Sequence, residues 1–152
     1  MLAVIYYCSL KTTTPQRIAA DGAYHIVRFP FGAGESTDDH NMHAVQSVAD
    51  WTRDDRSGLI WPKVSGHGVL SAMVQWEPGG YTELRDRFVR DPFGEPDTTA
   101  TDHRPPSPGM QAFTKVWQIQ VDPTTPLALA VAHNDSSTRA VTLAEFKLAI
   151  FA

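Results

Sequence analysis

The sequence predicts an all-β fold, an antiparallel sandwich, and three observations carry that prediction. Short runs rich in Val, Ile, Tyr, Phe and Trp recur along the chain. The 10 glycines and 11 prolines fall between them as turn and loop punctuation. Within several runs the apolar residues recur at every second position, the period of a strand with one face buried and the other wet. At 152 residues the chain has the length of one domain, read as spanning 1–152.

About eight strands are predicted, at residues 3–10, 24–31, 58–61, 69–76, 81–90, 111–121, 127–134 and 141–151. The first is the apolar run Val4-Ile5-Tyr6-Tyr7-Cys8, broken as Ser9 and Lys11 enter. Asp21-Gly22 turns the chain into the second, Tyr24 to Phe29 at its centre, and the third is the short Gly58-Leu59-Ile60-Trp61. In the fourth, Leu70, Ala72, Val74 and Trp76 share one side. Pro78-Gly79-Gly80 leads into a fifth of mixed character: Leu84 and Phe88 align, Asp86 lies between them, and Arg85, Arg87 and Arg90 crowd the rest. One face of that strand is expected at solvent or at a subunit contact. The sixth is the long run 111–121, and the seventh aligns Leu127, Leu129 and Val131. After the turn Asn134-Asp135-Ser136-Ser137, the last strand separates Ala144, Phe146, Leu148 and Ile150 from Glu145 and Lys147. Two long loops remain, 32–57, with a weakly helical piece at 44–51, and 91–109, which holds five prolines.

Charge and cysteine content narrow the function classes. With 17 acidic against 13 basic side chains the net charge is −4, which gives nucleic acid phosphates no broad footprint. A mean hydropathy of −0.25 and the lack of a long apolar run predict no membrane insertion. The one cysteine cannot form an internal disulfide, and Cys8 in its apolar run reads as a buried, inert thiol. No basic region precedes that run, so a secretory signal is not expected, and synthesis and assembly in a cytoplasm are.

The progression Gln16-Arg17-Ile18, Tyr24-His25-Ile26-Val27-Arg28-Phe29, Gly58-Leu59-Ile60-Trp61-Pro62 and Gly66-His67-Gly68-Val69 through Trp76 resembles the C1q/TNF-like jelly roll. The ending, Pro126 through Asn134 followed by Leu143 through Ile150, is similar to that family's last two strands. Trp61 before Pro62 and Val69 after glycine depart from the family's pattern, and a viral jelly roll of another strand order is the alternative arrangement. The resemblance implies a compact homotrimer built on sheet-face aromatic and aliphatic residues, and binding rather than catalysis. Standalone domains of this kind also occur on bacteriophage particles.

No motif for catalysis is complete. Asp38-Asp39-His40-Asn41-Met42-His43 is the densest polar cluster, yet spacing alone does not make His40 and His43 metal ligands, and a solvated loop is the expectation. His103, between Asp102 and Arg104, reads as part of a surface loop. Ser65-Gly66-His67 lacks the glycine pattern of a nucleophile elbow, and nothing fixes a distance between Glu77, Glu83 and Asp86 for glycoside hydrolysis. Asn134-Asp135-Ser136 reads as a turn rather than a glycosylation site. No catalytic residue, cofactor or metal is therefore assigned.

Trp76, Trp117, Leu129, Phe146, Leu148 and Ile150 are the expected core or trimer contacts, with Trp61 read likewise, and Trp51, in a polar segment, is the candidate contact to a surface ligand. Together these readings suggest a non-enzymatic homotrimer on a phage virion surface, a capsid decoration or fibre or tail-tip component assembled in the host cytoplasm. Its expected partners are itself, capsid or tail proteins and a host-surface glycan. The competing class is a carbohydrate-binding or adhesin-like module with no virion role.

Overall fold

A computed structural model describes residues 3–32 and 36–152. Residues 33–35 of the predicted loop 32–57 lie outside the described residues. The strands are β1 (Ile5–Thr12), β2 (Gln16–Ile18), β3 (His25–Ile26), β4 (Gly66–Trp76), β5 (Leu84–Arg90), β6 (Thr101–Arg104), β7 (Gln111–Val121), β8 (Leu127–His133) and β9 (Arg139–Phe151). They form two antiparallel sheets. The first runs β1-β9-β4-β7, with β2 alongside the start of β9, and the second runs β3-β8-β5-β6. No helix among the described residues is long and apolar enough to cross a membrane.

Register turns alternation into a core. Leu148 lies opposite Cys8 on one side and Leu70 on the other, and Phe146 opposite Leu10 and Ala72, so each inward row carries side chains from three strands. All of these are buried. From the second sheet Phe88 stacks on Phe146 at 6.0 Å, and Phe29 meets the same ring at 6.3 Å. Burying one such side chain is worth about 1.5–3 kcal/mol, so the β9 row alone carries a large share of the stability.

Several elements differ from the sequence-based expectation, each for a local reason. The predicted strand 24–31 keeps a ladder only at His25–Ile26. Val27 N–H still reaches the Leu129 carbonyl, but the Gln16 side chain captures the backbone of Arg28, and Phe29 N–H turns to Ser57 O. Residues 58–61 form no strand: a 3-10 turn occupies Asp55–Gly58, capped by the Asp54 carboxylate on Arg56 N–H, and a single bridge joins Ile60 to Leu127. A β-carbon at Gly58 would collide with the Val27 carbonyl, which explains glycine at this close crossing. The helical piece expected at 44–51 shrinks to a 3-10 turn at Ala44–Gln46. There Asp38 spends its carboxylate on the amides of Met42, His43 and Ala44, at 2.7, 3.0 and 2.8 Å, and organises a loop instead.

The predicted strand 81–90 begins at Leu84, because Asn134 Oδ1 accepts the amides of Thr82 and Glu83, both at 2.9 Å. Two strands were missing from the prediction. β2 is too short to show a period, and β6 lies inside the proline-rich excursion 91–109, in the stretch between Pro96 and Pro105.

Candidate functional site

Among the described residues, no second sheet covers the outward face of the first. The outward rows of the first sheet read Ile5, Phe151, His67 and Gln120; then Tyr7, Ala149, Val69 and Gln118; then Ser9, Lys147, Ser71 and Val116; then Lys11, Glu145, Met73 and Thr114. Val116 is 64% exposed, Ile5 50%, Phe151 45% and Tyr7 40%. These large apolar side chains recur across the same wall rather than singly, and such a wall in water is the mark of a surface made for a partner. Lys147 and Glu145 pair at 3.4 Å within it, so the charge on the face is largely self-neutralised.

The margin of the sandwich at β6 and β7 is built differently. Each strand pairs on one side only, β6 with β5 and β7 with β4. Lys115 closes the gap between the sheets. Its ammonium reaches Asp86 Oδ1 at 3.1 Å, Asp102 Oδ2 at 2.9 Å and the Ala100 carbonyl at 2.8 Å, and sits 5.0 Å from the centre of the Phe88 ring. Arg104 grips the same buried Asp86 through Nε at 2.6 Å and Nη2 at 3.2 Å, with its guanidinium over Phe113. The hydrogen bond from Lys115, with Arg104 and His103 beside it, holds the Asp102 carboxyl below the usual carboxylate range. Next along β7, Trp117 lies opposite Leu70 and remains 41% exposed, lining a small opening with Phe88, Val89, Ala100 and Ile119.

The remaining site candidates fall in separate places. Trp76, Leu129, Phe146, Leu148 and Ile150 lie between the sheets, engaged in this chain's own core. Trp117 alone of that group reaches the surface. Trp61 is half-buried beside Pro62 and Pro123, and Trp51 is half-buried at the opposite end of the sandwich, in a cleft with Arg17 and Arg28.

His40 and His43 are held by different partners. His40 lies 4.9 Å from the Tyr6 ring, whereas His43 stacks on Phe31 at 4.2 Å and donates from Nε2 to the Ser57 carbonyl at 2.6 Å. Burial lowers the His43 pKa, against the opposing pull of Ser57 and Asp38, which favours the neutral ring. Burial likewise pushes the Cys8 thiol up, with Asp38 adding to the effect. Among the described residues, no three His, Cys, Asp or Glu side chains converge to hold a metal ion.

Glu77 accepts the Ala140 amide, Glu83 pairs with Arg85, and Asp86 belongs to the Lys115 network, so these three acids serve separate structural contacts. Arg87 stacks over Tyr24 at 3.5 Å, and Arg90 pairs with Asp122 at 2.8 Å. His103 lies 3.8 Å from Glu83. At the turn after β8, Arg139, joined by the amides of Gly80 and Ser136, holds the Asp135 carboxyl down at about 2.

Lys115 was the functional residue that sequence reading missed. Its signal was parity, since it falls in phase with Phe113 and Trp117 and therefore faces the same way as they do.

Comparison with solved structures shows what this arrangement is similar to. The TNF protein Eiger from S. frugiperda superposes with a TM-score of 0.62 at 10% identity, over 100% of this chain and 94% of that one. The globular domain of zebrafish complement 1qA gives 0.60 at 12% identity, with 95% of each chain covered. The fold is a TNF/C1q-like jelly roll. Murine APRIL, in a crystal at pH 5.0, gives 0.59 at 10% identity over 95% of this chain and 98% of that one. No family model matches the sequence, and no curated protein matches it. At such identities the likeness is one of fold.

Proposed function

We propose that this jelly roll is a non-enzymatic, self-associating recognition protein, a homotrimer displayed on a bacteriophage particle as a capsid decoration or a fibre or tail-tip component. The observation that carries the self-association is the uncovered outward face of the first sheet, with Ile5, Tyr7, Val116 and Phe151 standing in water. A second, different surface lies at the β6–β7 margin, where Trp117 is exposed. Two unlike surfaces on one chain favour a head-to-tail contact, which closes into a ring when the rotation permits. The resemblance to TNF/C1q-like domains supports three as the number of copies.

Two further features support the virion reading. The single cysteine is buried and free, and the chain is held by hydrocarbon and ion pairs, as suits a protein folding in a reducing cytoplasm before particle release. The loop at 36–57 and the parts of 91–109 on either side of β6 are the segments offered to capsid or tail partners and to a host-surface glycan.

Sedimentation equilibrium tests the first part. The expected mass is three times 16.8 kDa, and Val116→Glu together with Tyr7→Glu is expected to give a folded monomer with an unchanged circular dichroism spectrum. A wild-type monomer at micromolar concentration would remove the self-association. Electron microscopy of purified particles tests the second part: density for this chain on head or tail is expected, and its absence favours a carbohydrate-binding module outside any virion.

A further inference from the structure

We propose that the cleft between β2 and β3 binds an acidic saccharide, with Trp51 as the surface for the sugar ring and Arg17 as the partner of its anionic group. This rests on the reading of the chain as a displayed recognition protein and names the ligand class that it would take. The cleft lies on the side of the sandwich opposite the Lys115 network, where β2 of the first sheet faces β3 of the second. Its walls are tied together by one side chain. Gln16 Oε1 accepts the Arg28 amide at 2.8 Å, and Gln16 Nε2 donates to the Arg28 carbonyl at 2.7 Å. Ile18 and Ile26 line it. Its volume of about 240 Å³ is below the roughly 300–1,000 Å³ of pockets for drug-sized ligands, which suits one ring and its substituents.

The polar groups around this cleft divide into spent and unspent. Arg28 gives Nε to Asp55 at 2.9 Å and Nη1 to the Thr52 carbonyl at 2.6 Å, while His25 Nε2 is held by Asp21 at 2.9 Å. Both side chains are answered by carboxylates. Arg17 is not: it is exposed and makes no hydrogen bond or ion pair with any described residue. The Trp51 indole is also unspent, with Nε1 unbonded and no aromatic ring or cation stacked on it among the described residues. No Asp or Glu lines the cleft.

What the cleft offers is therefore a flat aromatic surface, a free guanidinium and an indole N–H, all on a pre-tied frame. The complementary ligand brings hydrogen-bond acceptors, one of them negative, and an apolar face of ring size. A pyranose bearing a carboxylate or a sulfate ester has those features: C–H bonds on one face for the indole and a planar or trigonal oxyanion for the guanidinium. A nucleic acid lacks support, because a chain of net charge −4 repels a run of phosphates.

Calorimetric titration of the full chain with sialyllactose, a glucuronate-containing disaccharide, a sulfated lactose, neutral lactose and sodium acetate tests the proposal. At least one acidic sugar is expected to bind saturably and about tenfold more tightly than lactose, the scale of one charge-assisted contact. Whether the carboxylated or the sulfated sugar binds identifies the source of the anion. Arg17→Ala is expected to abolish the preference for acid while leaving lactose binding unchanged, and Trp51→Ala to weaken both. Arg53→Ala, at an exposed position outside the cleft, is expected to change neither. Thermal midpoints confirm that each variant is folded.

Failure of every acidic sugar to bind overturns the proposal, as does acetate binding as tightly as the sugars, or a preference that survives Arg17→Ala. Sedimentation of the same samples separates the two readings. A trimer that binds no sugar removes only the cleft assignment, whereas a monomer that binds sugar removes only the self-association.

Discussion

β9 and β7 belong to the same sheet, one strand apart, and are held by opposite means. β9 has neighbours on both sides, and its inward residues Ala144, Phe146, Leu148 and Ile150 are all fully buried. β7 has one neighbour, and its inward row contains Gln111, Phe113, Lys115, Trp117, Ile119 and Val121. In the middle of the sheet, hydrocarbon meets hydrocarbon on every side. At the margin one side is water, so an all-aliphatic row would leave its last members wet. Lys115 resolves this with an apolar stem that lies in the core near Phe88 and a charged tip that reaches Asp86 and Asp102. The lesson is that this jelly roll is closed by packing at its centre and, at its open edge, by an apolar stem whose charged tip is satisfied at the border with water.

Breaking the centre is expected to have the largest effect. Deleting residues 146–152 removes the inward Phe146, Leu148 and Ile150 and strips β1 and β4 of their shared neighbour, turning paired strands into bare edges. Insoluble or unfolded protein is expected, and Phe146→Asp is expected to do the same by placing a carboxylate among aromatic rings. Solubility and far-ultraviolet circular dichroism read the outcome. A soluble truncation with an unchanged melting temperature would mean that the centre is not where the stability lies.

The margin is expected to come second. Asp86→Ala leaves Lys115 and Arg104 without their shared buried carboxylate, and breaking a buried ion pair in this way costs about 3–5 kcal/mol. Urea denaturation should show the loss as a lower midpoint with an unchanged slope. Lys115→Met sharpens the comparison, because a thioether of similar length keeps the apolar stem and leaves Asp86 with Arg104. A smaller penalty than for Asp86→Ala is expected, because Asp86 keeps both contacts to Arg104 and is not left as an unpaired buried charge. If Lys115→Met were as costly as Asp86→Ala, the ammonium rather than the stem would be what closes the edge.

Acid is expected to act least and in one direction. The Asp102 carboxyl is held below its ordinary value in the folded chain, so its contribution is present above the unfolded value, about 4, and is lost as pH falls through the lower folded one. Asp102→Asn should therefore lower stability modestly near neutrality, where the carboxylate's contribution is present, and flatten the decline below about pH 4, so that the two proteins converge in acid. Melting temperatures measured from pH 7 downward check it, and a steeper decline in the variant would reverse the sign.

The parts of the molecule legible in the sequence are those where one physical rule acts alone. Alternation located β4 and β9 and named their buried faces, because central strands answer to burial; β8 was located too, but it is buried on both faces, and its Ala128, Ala130 and Ala132 hid the second one. Alternation failed where side chains compete for the backbone. Asn134 delays the start of β5, Gln16 ends β3, and Asp38 converts an expected helical piece into a capped loop. Those three contacts span 52, 12 and 4 residues of sequence, and only the shortest lay within one recognisable cluster. The interaction face was legible in part: Lys147 and Glu145 marked the polar side of β9, but the exposure of Tyr7 and Val116 depends on which strands become neighbours. Trp51 was visible as an aromatic residue in a polar segment. Its cleft was not, because Arg17 reaches it from β2 and Arg28 from the segment that follows β3.

The pairing of β1 with β9, Ile5 opposite Phe151 at one end and Thr12 opposite Ala144 at the other, has a consequence for synthesis. During synthesis β1 has to wait for β9. At roughly 5–20 residues per second, something on the order of ten seconds separates the emergence of Tyr7 from that of its partner Ala149. Throughout that interval Leu10 and Cys8 have no inward row to join, and β4, which also depends on β9, has only β7 beside it. Nascent chains should therefore stay protease-sensitive until β9 has emerged, and the domain should fold as a late, single event rather than strand by strand.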